Sequence, residues 1–291
     1  MKNILKNVSI ILLLFLIIIK RPLVFNAIIG ATHIWFMNIF PALFPFLIIS
    51  DLIISTSLIN NMTKLLGPFF TYWFGVSKYA SYVFIMSLIS GCPSNAKYLK
   101  DLLDNKLIAP DEAVKVLAMS MHYNPLLILG VATYLTKGDT YFILSSNIAI
   151  NLIIGLINRR VPCYYQNERV LIPKKFNIID SLSKTIDTLL LVLGSLVLFI
   201  ALSALVGYEH PLILGVFELT NGLKETALLI NYHYQLIFTG IILAFGGLSI
   251  QTQIKSILKG YEIEYSLFYR ARIIHLGLFL LLIYLRICFF N

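Results

Sequence analysis

The sequence has little charge and none of the patterns that mark common enzymes or metal sites. Only 13% of its 291 residues are Asp, Glu, Lys or Arg, about half the share of an average soluble domain. Its 3 cysteines, Cys92, Cys163 and Cys288, form no CxxC pair and no Cys/His spacing, which argues against a disulfide framework and a zinc site. The HExxH, GxSxG and GxxxxGK[ST] patterns are absent. We therefore expect no enzyme activity, no metal and no cofactor.

What the sequence does contain is long apolar runs. Hydrophobic residues make up 58% of the chain, and the mean hydropathy is +0.85. The runs are continuous rather than alternating, which favours membrane helices over barrel strands. The net charge of +9 comes from basic residues at the ends of these runs, as is typical of cytoplasmic loops. The sequence has no stripe of basic residues interleaved with aromatics, so it does not indicate binding of nucleic acid. The prediction is an all-α polytopic membrane protein with roughly eight to ten membrane segments.

The chain divides into four parts by composition. A first membrane helix (residues 1–24) precedes a first repeat (25–160), a basic extramembrane linker (161–177), and a second repeat with a final membrane helix (178–291). The positive-inside rule predicts that the linker is cytoplasmic. Pro41 and Pro45 predict a kinked or re-entrant segment, and Gly67-Pro68 with the aromatic residues after it predicts an interfacial turn.

Four apolar segments are interrupted by small and polar residues. The interruptions, called the four breaks, are residues 90–95 (SGCPSN), 124–125 (NP), 218–222 (ELTNG) and 246–251 (GGLSIQ). The breaks occur in the same order in the two halves of the chain, and an amphipathic entry segment precedes them in each half. In the second half, the apolar run that follows this entry is itself interrupted at Gly194-Ser195. This order predicts two repeats, which are inverted if each repeat crosses the membrane an odd number of times.

Irregular backbone at the depth of the bilayer is stable only where it is buried in protein or lines a water-filled cavity. The breaks therefore predict a substrate site at the membrane midplane. The alternative interpretation is that they are turns at the membrane surface. Half-helix N-termini expose unpaired N–H groups and favour anions. The predicted substrate-binding residues are small, hydroxyl or amide residues and one acid: Ser90, Gly91, Ser94, Asn95, Asn124, Glu218, Thr220, Asn221, Gly222, Gly247, Ser249 and Gln251.

Glu218 is an acid inside an apolar run, a placement that marks an ion, proton or substrate path. Burial favours the protonated form of such a group, so Glu218 is a candidate for a coupling proton. The alternative is a helix cap or a salt bridge to Lys224. The 5 histidines have no ligand spacing and are expected to be interfacial or packed. Asp51 and Arg286 lie near segment ends and are expected to snorkel.

Five motifs occur in an order that is similar to a known family: FPALFPFLIISDLI, SGCPSNAK, NPLLILG, FELTNG and FGGLSIQTQI. They resemble the YlbJ-type sporulation integral membrane proteins, which belong to the wider nucleoside-recognition (Gate) domain family. The similarity covers roughly residues 25–285. This chain departs from the family pattern inside the breaks, where residues 91–95 read GCPSN instead of a Gly-Tyr-Pro-x-Gly stretch, and where residues 121–125 read MHYNP instead of an Asn-rich Ser-Gly-Pro stretch.

The resemblance implies two Gate-like repeats and a role in endospore formation. It implies a transporter or facilitator of a small organic anion, dipicolinic acid, in the bacterial cell membrane, at the mother-cell or outer forespore membrane. Two other functions stay open at this point: a structural or assembly factor that works with other sporulation membrane proteins, and a nucleoside permease. The expected partners are the substrate and the lipid bilayer, and not nucleic acid.

Overall fold

A computed structural model describes residues 2–56, 58–164, 171–172 and 175–289. Within these ranges the chain forms 15 α-helices, one π-helical segment and no strand, as the all-α prediction requires. The helices are α1 (Lys2–Ile19), α2 (Arg21–Ile34), α3 (Phe40–Ser55), α4 (Leu58–Phe74), α5 (Ala80–Ser90), α6 (Ser94–Asp104), α7 (Pro110–Met119), α8 (Pro125–Val131), α9 (Lys137–Ile157), α10 (Ile178–Val206), α11 (Pro211–Phe217), α12 (Leu219–Thr226), α13 (Tyr232–Phe245), α14 (Gly247–Ile257) and α15 (Ser266–Phe289).

Helices long and apolar enough to cross a membrane confirm the polytopic class. Five such spans lie in the described part of the chain: Arg21–Ser55, Lys137–Ile157, Ile178–Val206, Tyr232–Ile257 and Ser266–Phe289. The sequence predicts roughly eight to ten membrane segments, more than these five spans, because that number also includes α1 and the interrupted segments. The helices of the interrupted segments are too short to count as spans on their own.

The segment around Pro41 and Pro45 is one continuous helix, so the re-entrant alternative is wrong. Residues Arg21–Ser55, here called the first long helix, run without a turn through a π-helical segment at Trp35–Ile39. A helical proline lacks an N–H and its ring crowds the carbonyl four residues earlier. The wider π turn ends directly before Phe40 and relieves this crowding at Pro41, so the helix continues.

The expected turn at Gly67-Pro68 is also wrong, because both residues lie inside α4. The buried positions of α4 repeat at helical spacing, which makes it an amphipathic helix: Ile59, Thr63, Gly67, Phe70 and Phe74. A Cβ on Gly67 would lie 2.4 Å from the Lys78 Cβ. Gly67 therefore allows a close contact between α4 and the turn before α5 and does not form a turn itself.

The second long helix (Ile178–Val206) crosses the first in the antiparallel direction. Three hydrogen bonds mark the crossing: Lys20 Nζ to Leu205 O at 2.9 Å, Trp35 Nε1 to Leu189 O at 3.1 Å, and Ser181 Oγ to Asp51 Oδ2 at 2.7 Å. The interruption expected at Gly194-Ser195 is absent from this helix, which continues through both residues. One glycine costs only about 1 kcal/mol relative to alanine, which a long apolar helix tolerates.

One end of the bundle is organised by Lys115. Its Nζ donates to the carbonyls of Gly75, Arg159 and Val161, each at 3.0 Å. Gly75 directly follows α4, and Arg159 follows α9, so the ammonium group neutralises the negative ends of two helices. We call this end the linker side, because residues 158–164 lie there, and the other end the far side. Residues 165–170 and 173–174 of the predicted linker lie outside the described residues.

A buried acid beside Lys115 makes folding sensitive to pH. Glu112 lies outside the five membrane-spanning helices and is fully buried. Burial raises its pKa to about 7, although the Ser77 N–H donates to Oε1 at 2.7 Å and opposes this shift.

We predict that the protein loses stability as the pH rises from about 4.5 to about 7, because folded Glu112 keeps a proton that the unfolded chain has released. Glu112→Gln should remove this part of the slope, and the exposed Glu262→Gln should leave it unchanged. The measurement is the thermal unfolding temperature in detergent across this pH range. Identical slopes for wild type and Glu112→Gln would contradict the prediction.

Candidate functional site

The first break is the tip of a hairpin. The rings of Tyr82 in α5 and Tyr98 in α6 lie 5.8 Å apart, whereas a straight helix would separate residues at this spacing by about 24 Å. The Tyr98 hydroxyl donates to Ser90 Oγ at 2.8 Å. Gly91 ends α5 with φ of 77°, a left-handed value that suits glycine. The two arms, called the first hairpin, therefore fold back on each other.

The first hairpin enters the bundle from the linker side. The backbone N–H of Ser77, just before its first arm, donates to Glu112, and Asp104, at the end of its second arm, accepts from the Tyr261 hydroxyl after α14. Within the second arm, Lys97 forms ion pairs with Asp51 and with Asp101, the latter at 2.7 Å. Asp51 is thus held by a buried lysine and Ser181 and does not snorkel.

Helices α11 and α12 form a second hairpin, which enters from the far side. A Cβ on Gly222 would lie 2.4 Å from the Gly215 Cα, so the two arms touch backbone to backbone. After the second arm, Gln235 at the start of α13 donates to the carbonyl of Ala227 at 3.2 Å. The Thr136 N–H at the start of α9 donates to the Tyr232 hydroxyl at the start of α13 at 3.2 Å. Because α9 ends on the linker side, the open end of the second hairpin lies on the far side.

The tip of the second hairpin carries Glu218. Its carboxylate accepts the Asn221 N–H at 2.8 Å and the Thr220 hydroxyl at 2.7 Å. This is an N-cap of α12, so the geometry is that of the helix-cap alternative. The carboxylate occupies the positive end of its own helix, which is consequently already neutralised.

The four breaks contact one another in the middle of the bundle. On one side, a Cβ on Gly91 would lie 2.3 Å from the Asn124 backbone N, and the Cys92 N–H donates to His122 O at 2.7 Å. On the other side, the Cβ position of Gly247 lies 3.2 Å from the Leu219 N. The Tyr123 hydroxyl joins the two sides by donating to the Leu243 carbonyl. The breaks thus pack against one another, and the two bonds satisfy a backbone N–H at Cys92 and backbone carbonyls at His122 and Leu243.

A small cavity of about 40 Å³ lies between the hairpin tips and the two long helices. Three of the predicted residues line it, Asn124, Glu218 and Thr220, together with Cys92 and Gln253, which sequence reasoning missed. The long helices supply an apolar wall of Ile39, Ala42, Leu43, Val192 and Leu196. The volume suffices for a few water molecules only, so the centre is closed to a substrate-sized molecule in this conformation.

The other predicted residues lie near the cavity but not on its surface. Asn95 donates to Ser120 O at 3.1 Å, Gln251 donates to Phe245 O at 3.2 Å, and Ser249 accepts from Gln253 at 3.0 Å. These side chains hold the breaks in shape. Ser90, Gly91, Ser94, Gly222 and Gly247 are buried in or beside the hairpins, and Asn221 faces a separate cavity on the far side.

Larger cavities lie on both sides of the closed centre. The far-side cavity measures about 710 Å³ and includes Asn221, Lys224 and Glu225 of the second hairpin. On the linker side, a cavity of about 300 Å³ includes Lys97 and Asp101 of the first hairpin. Each hairpin therefore contributes residues to one of these two cavities.

Behind the first hairpin tip lies a buried polar network that sequence reasoning did not assemble. His122 Nδ1 lies 3.3 Å from Asn147 Oδ1 and 3.2 Å from Asn151 Nδ2. Asn147 Nδ2 contacts His275 Nε2 at 3.1 Å, and Asn151 Oδ1 accepts from Arg272 at 3.4 Å. The spacing of Asn147 and Asn151 in the sequence already places them on one face of a helix. For Arg272, the available signal was the presence of an ionisable residue inside the last apolar span.

These features define a polytopic helical membrane protein in which two opposed hairpins close on one central cavity. The chain is 24% identical over 294 aligned positions to the sporulation integral membrane protein YlbJ of Bacillus subtilis (strain 168), covering 82% of this chain and 72% of the relative. No family model and no solved structure matches. The similarity supports the assignment to the YlbJ-type family that the motifs imply, while the Gate domain and the inverted repeat stay predictions.

We predict that Gly222→Ala destabilises the protein by about 1–3 kcal/mol, because the added methyl group forces the arms of the second hairpin apart. The matched control is Gly194→Ala in the second long helix, where no atom lies within 4 Å of the Cβ position. The control should be neutral or stabilising by up to about 1 kcal/mol. Thermal unfolding in detergent measures both; equal effects would contradict the described hairpin contact.

Proposed function

We propose that the chain is a sporulation-associated membrane transporter or facilitator of a small organic anion, with dipicolinate as the substrate. In this proposal it acts at a membrane surrounding the forespore, in keeping with its similarity to a sporulation integral membrane protein. The substrate passes the centre of the bundle when the hairpins move in turn.

The observation that carries the proposal is the pair of opposed hairpins around one closed cavity. Discontinuous helices that meet at the membrane midplane are typical of transporter substrate sites. The central cavity of about 40 Å³ lies between cavities of about 710 Å³ and 300 Å³ on the two sides. An assembly factor has no physical need for buried polar breaks at this depth, where every unpaired group is costly.

The charge of the site favours an anion that moves together with a proton. Helix α6 begins directly after Pro93, which lines the cavity, and carries no acidic residue in its first turn, although Asn95 Oδ1 accepts the Ala96 N–H at 2.9 Å. The positive end of this helix dipole therefore lies beside the cavity without a neutralising carboxylate of its own. At the second hairpin the Glu218 carboxylate already occupies the corresponding position. An incoming anion meets less repulsion when Glu218 is protonated, which links substrate movement to a proton.

We predict that purified protein in liposomes takes up labelled dipicolinate saturably and faster with an inward proton gradient. Glu218→Gln keeps an oxygen that accepts the Asn221 N–H but cannot exchange a proton. This variant should therefore insert normally and lose the gradient-driven part of uptake. The exposed Glu262→Gln is the matched control and should retain it.

The same assay separates the alternatives. Competition by nucleosides without competition by dicarboxylates would replace the proposed substrate with a nucleoside. Absence of uptake for either substrate, in protein that is folded and inserted, would count against transport and in favour of the assembly-factor function.

A further inference from the structure

Buried charged groups in the described part of the chain are held by ion pairs or by several hydrogen bonds; Lys115, for example, donates to three carbonyls. Among the described residues, Lys97 pairs with two aspartates, Asp139 pairs with Arg286 at 2.9 Å, and Glu218 caps a helix. The Arg272 side chain is equally buried, with only 4% of its surface exposed, yet no carboxylate within the described ranges forms an ion pair with it.

The guanidinium of Arg272 uses only part of its donor capacity. Its Nη2 donates to Ala118 O at 3.1 Å and to Asn151 Oδ1 at 3.4 Å, while Nε and Nη1 have no hydrogen-bond partner among the residues that the structure describes. The Phe268 ring, 5.7 Å from the guanidinium carbon, adds a cation–π contact but accepts no hydrogen bond. Arginine stays protonated in proteins, so this cation is retained uncompensated at membrane depth.

An uncompensated buried cation is costly, and proteins keep such groups where they act. The guanidinium presents its donors as a planar fork that matches both oxygens of a carboxylate. His275 lies one helical turn further along α15, and its buried Nδ1 has no hydrogen-bond partner within the described ranges. The unused hydrogen-bond donors at this site therefore belong mainly to the guanidinium group of Arg272, whose geometry suits a carboxylate ligand.

A short chain of contacts links Arg272 to the central cavity. Cys92 lines the cavity, and its backbone N–H donates to the carbonyl of His122. The His122 ring contacts Asn151, and Asn151 contacts Arg272. The guanidinium therefore lies one layer behind the tip of the first hairpin.

We propose that Arg272 binds a carboxylate group of the transported anion, which reaches the guanidinium when the tip of the first hairpin moves away. This inference rests on the proposed transport of an organic anion and names the residue that recognises its charge. The rest of the network, His122, Asn147 and Asn151, holds Arg272 in place in the closed conformation.

The test is binding of dipicolinate and isophthalate, two aromatic dicarboxylates of the same shape, to purified protein in detergent by calorimetry. Arg272→Gln should weaken both by about tenfold to a hundredfold, and Arg272→Lys, which keeps the charge without the fork, should have a smaller effect. Arg270→Gln, an exposed arginine on the same helix, is the matched control and should bind like wild type. The neutral pyridine-2,6-dicarboxamide should bind none of the proteins tightly.

A second readout separates binding from a structural role. Without ligand, Arg272→Gln should melt at or above the wild-type temperature, because it removes an uncompensated charge. Wild-type affinity in folded Arg272→Gln, or lower stability with unchanged affinity, would overturn the inference and leave transport standing. Binding that depends on Arg272 without flux in liposomes would support the inference and overturn transport. Failure of both dicarboxylates to bind wild type would overturn the inference together with its substrate.

Discussion

The structure depends on one constraint: irregular backbone inside a membrane must find its hydrogen-bond partners within the protein. A single break could not meet this requirement alone, because each one frees carbonyl and N–H groups of two helix ends. Here the breaks meet in pairs, Gly91 against Asn124 and Gly247 against Leu219, and Tyr123 joins the pairs. Glycine is required where the backbones touch, which explains why the interrupted segments carry it.

Much of this arrangement could be predicted from the sequence, because composition and chain breaks are local properties. The apolar runs predicted the membrane class, and the breaks at residues 90–95 and 246–251 lie where helices end. Proline and glycine were less reliable: Pro45, Pro68 and Gly194 suggested interruptions, but each lies inside a continuous helix. Their cost of about 1–3 kcal/mol is smaller than the gain from burying a long apolar helix.

Other features could not be predicted because they arise only from contacts between distant segments. The sequence does not reveal that the first break reverses the chain, since a collinear broken helix would have the same residues. The polar network likewise unites His122, Asn151 and Arg272 from three separate elements, and the burial of each becomes apparent only after packing. Site residues on the long helices, such as Ala42 and Val192, are ordinary apolar positions without any local signal.

The charges of the two hairpins differ. The second hairpin supplies its own anion, Glu218, and so satisfies its helix end without a ligand. The first hairpin has no such acid at its tip, and an uncompensated cation, Arg272, lies behind it. An anion at the centre would therefore be attracted towards the linker side and repelled by the far-side tip. Protonation of Glu218 would remove that repulsion, so in the proposed function the carboxylate that caps the second hairpin also controls when an anion passes it.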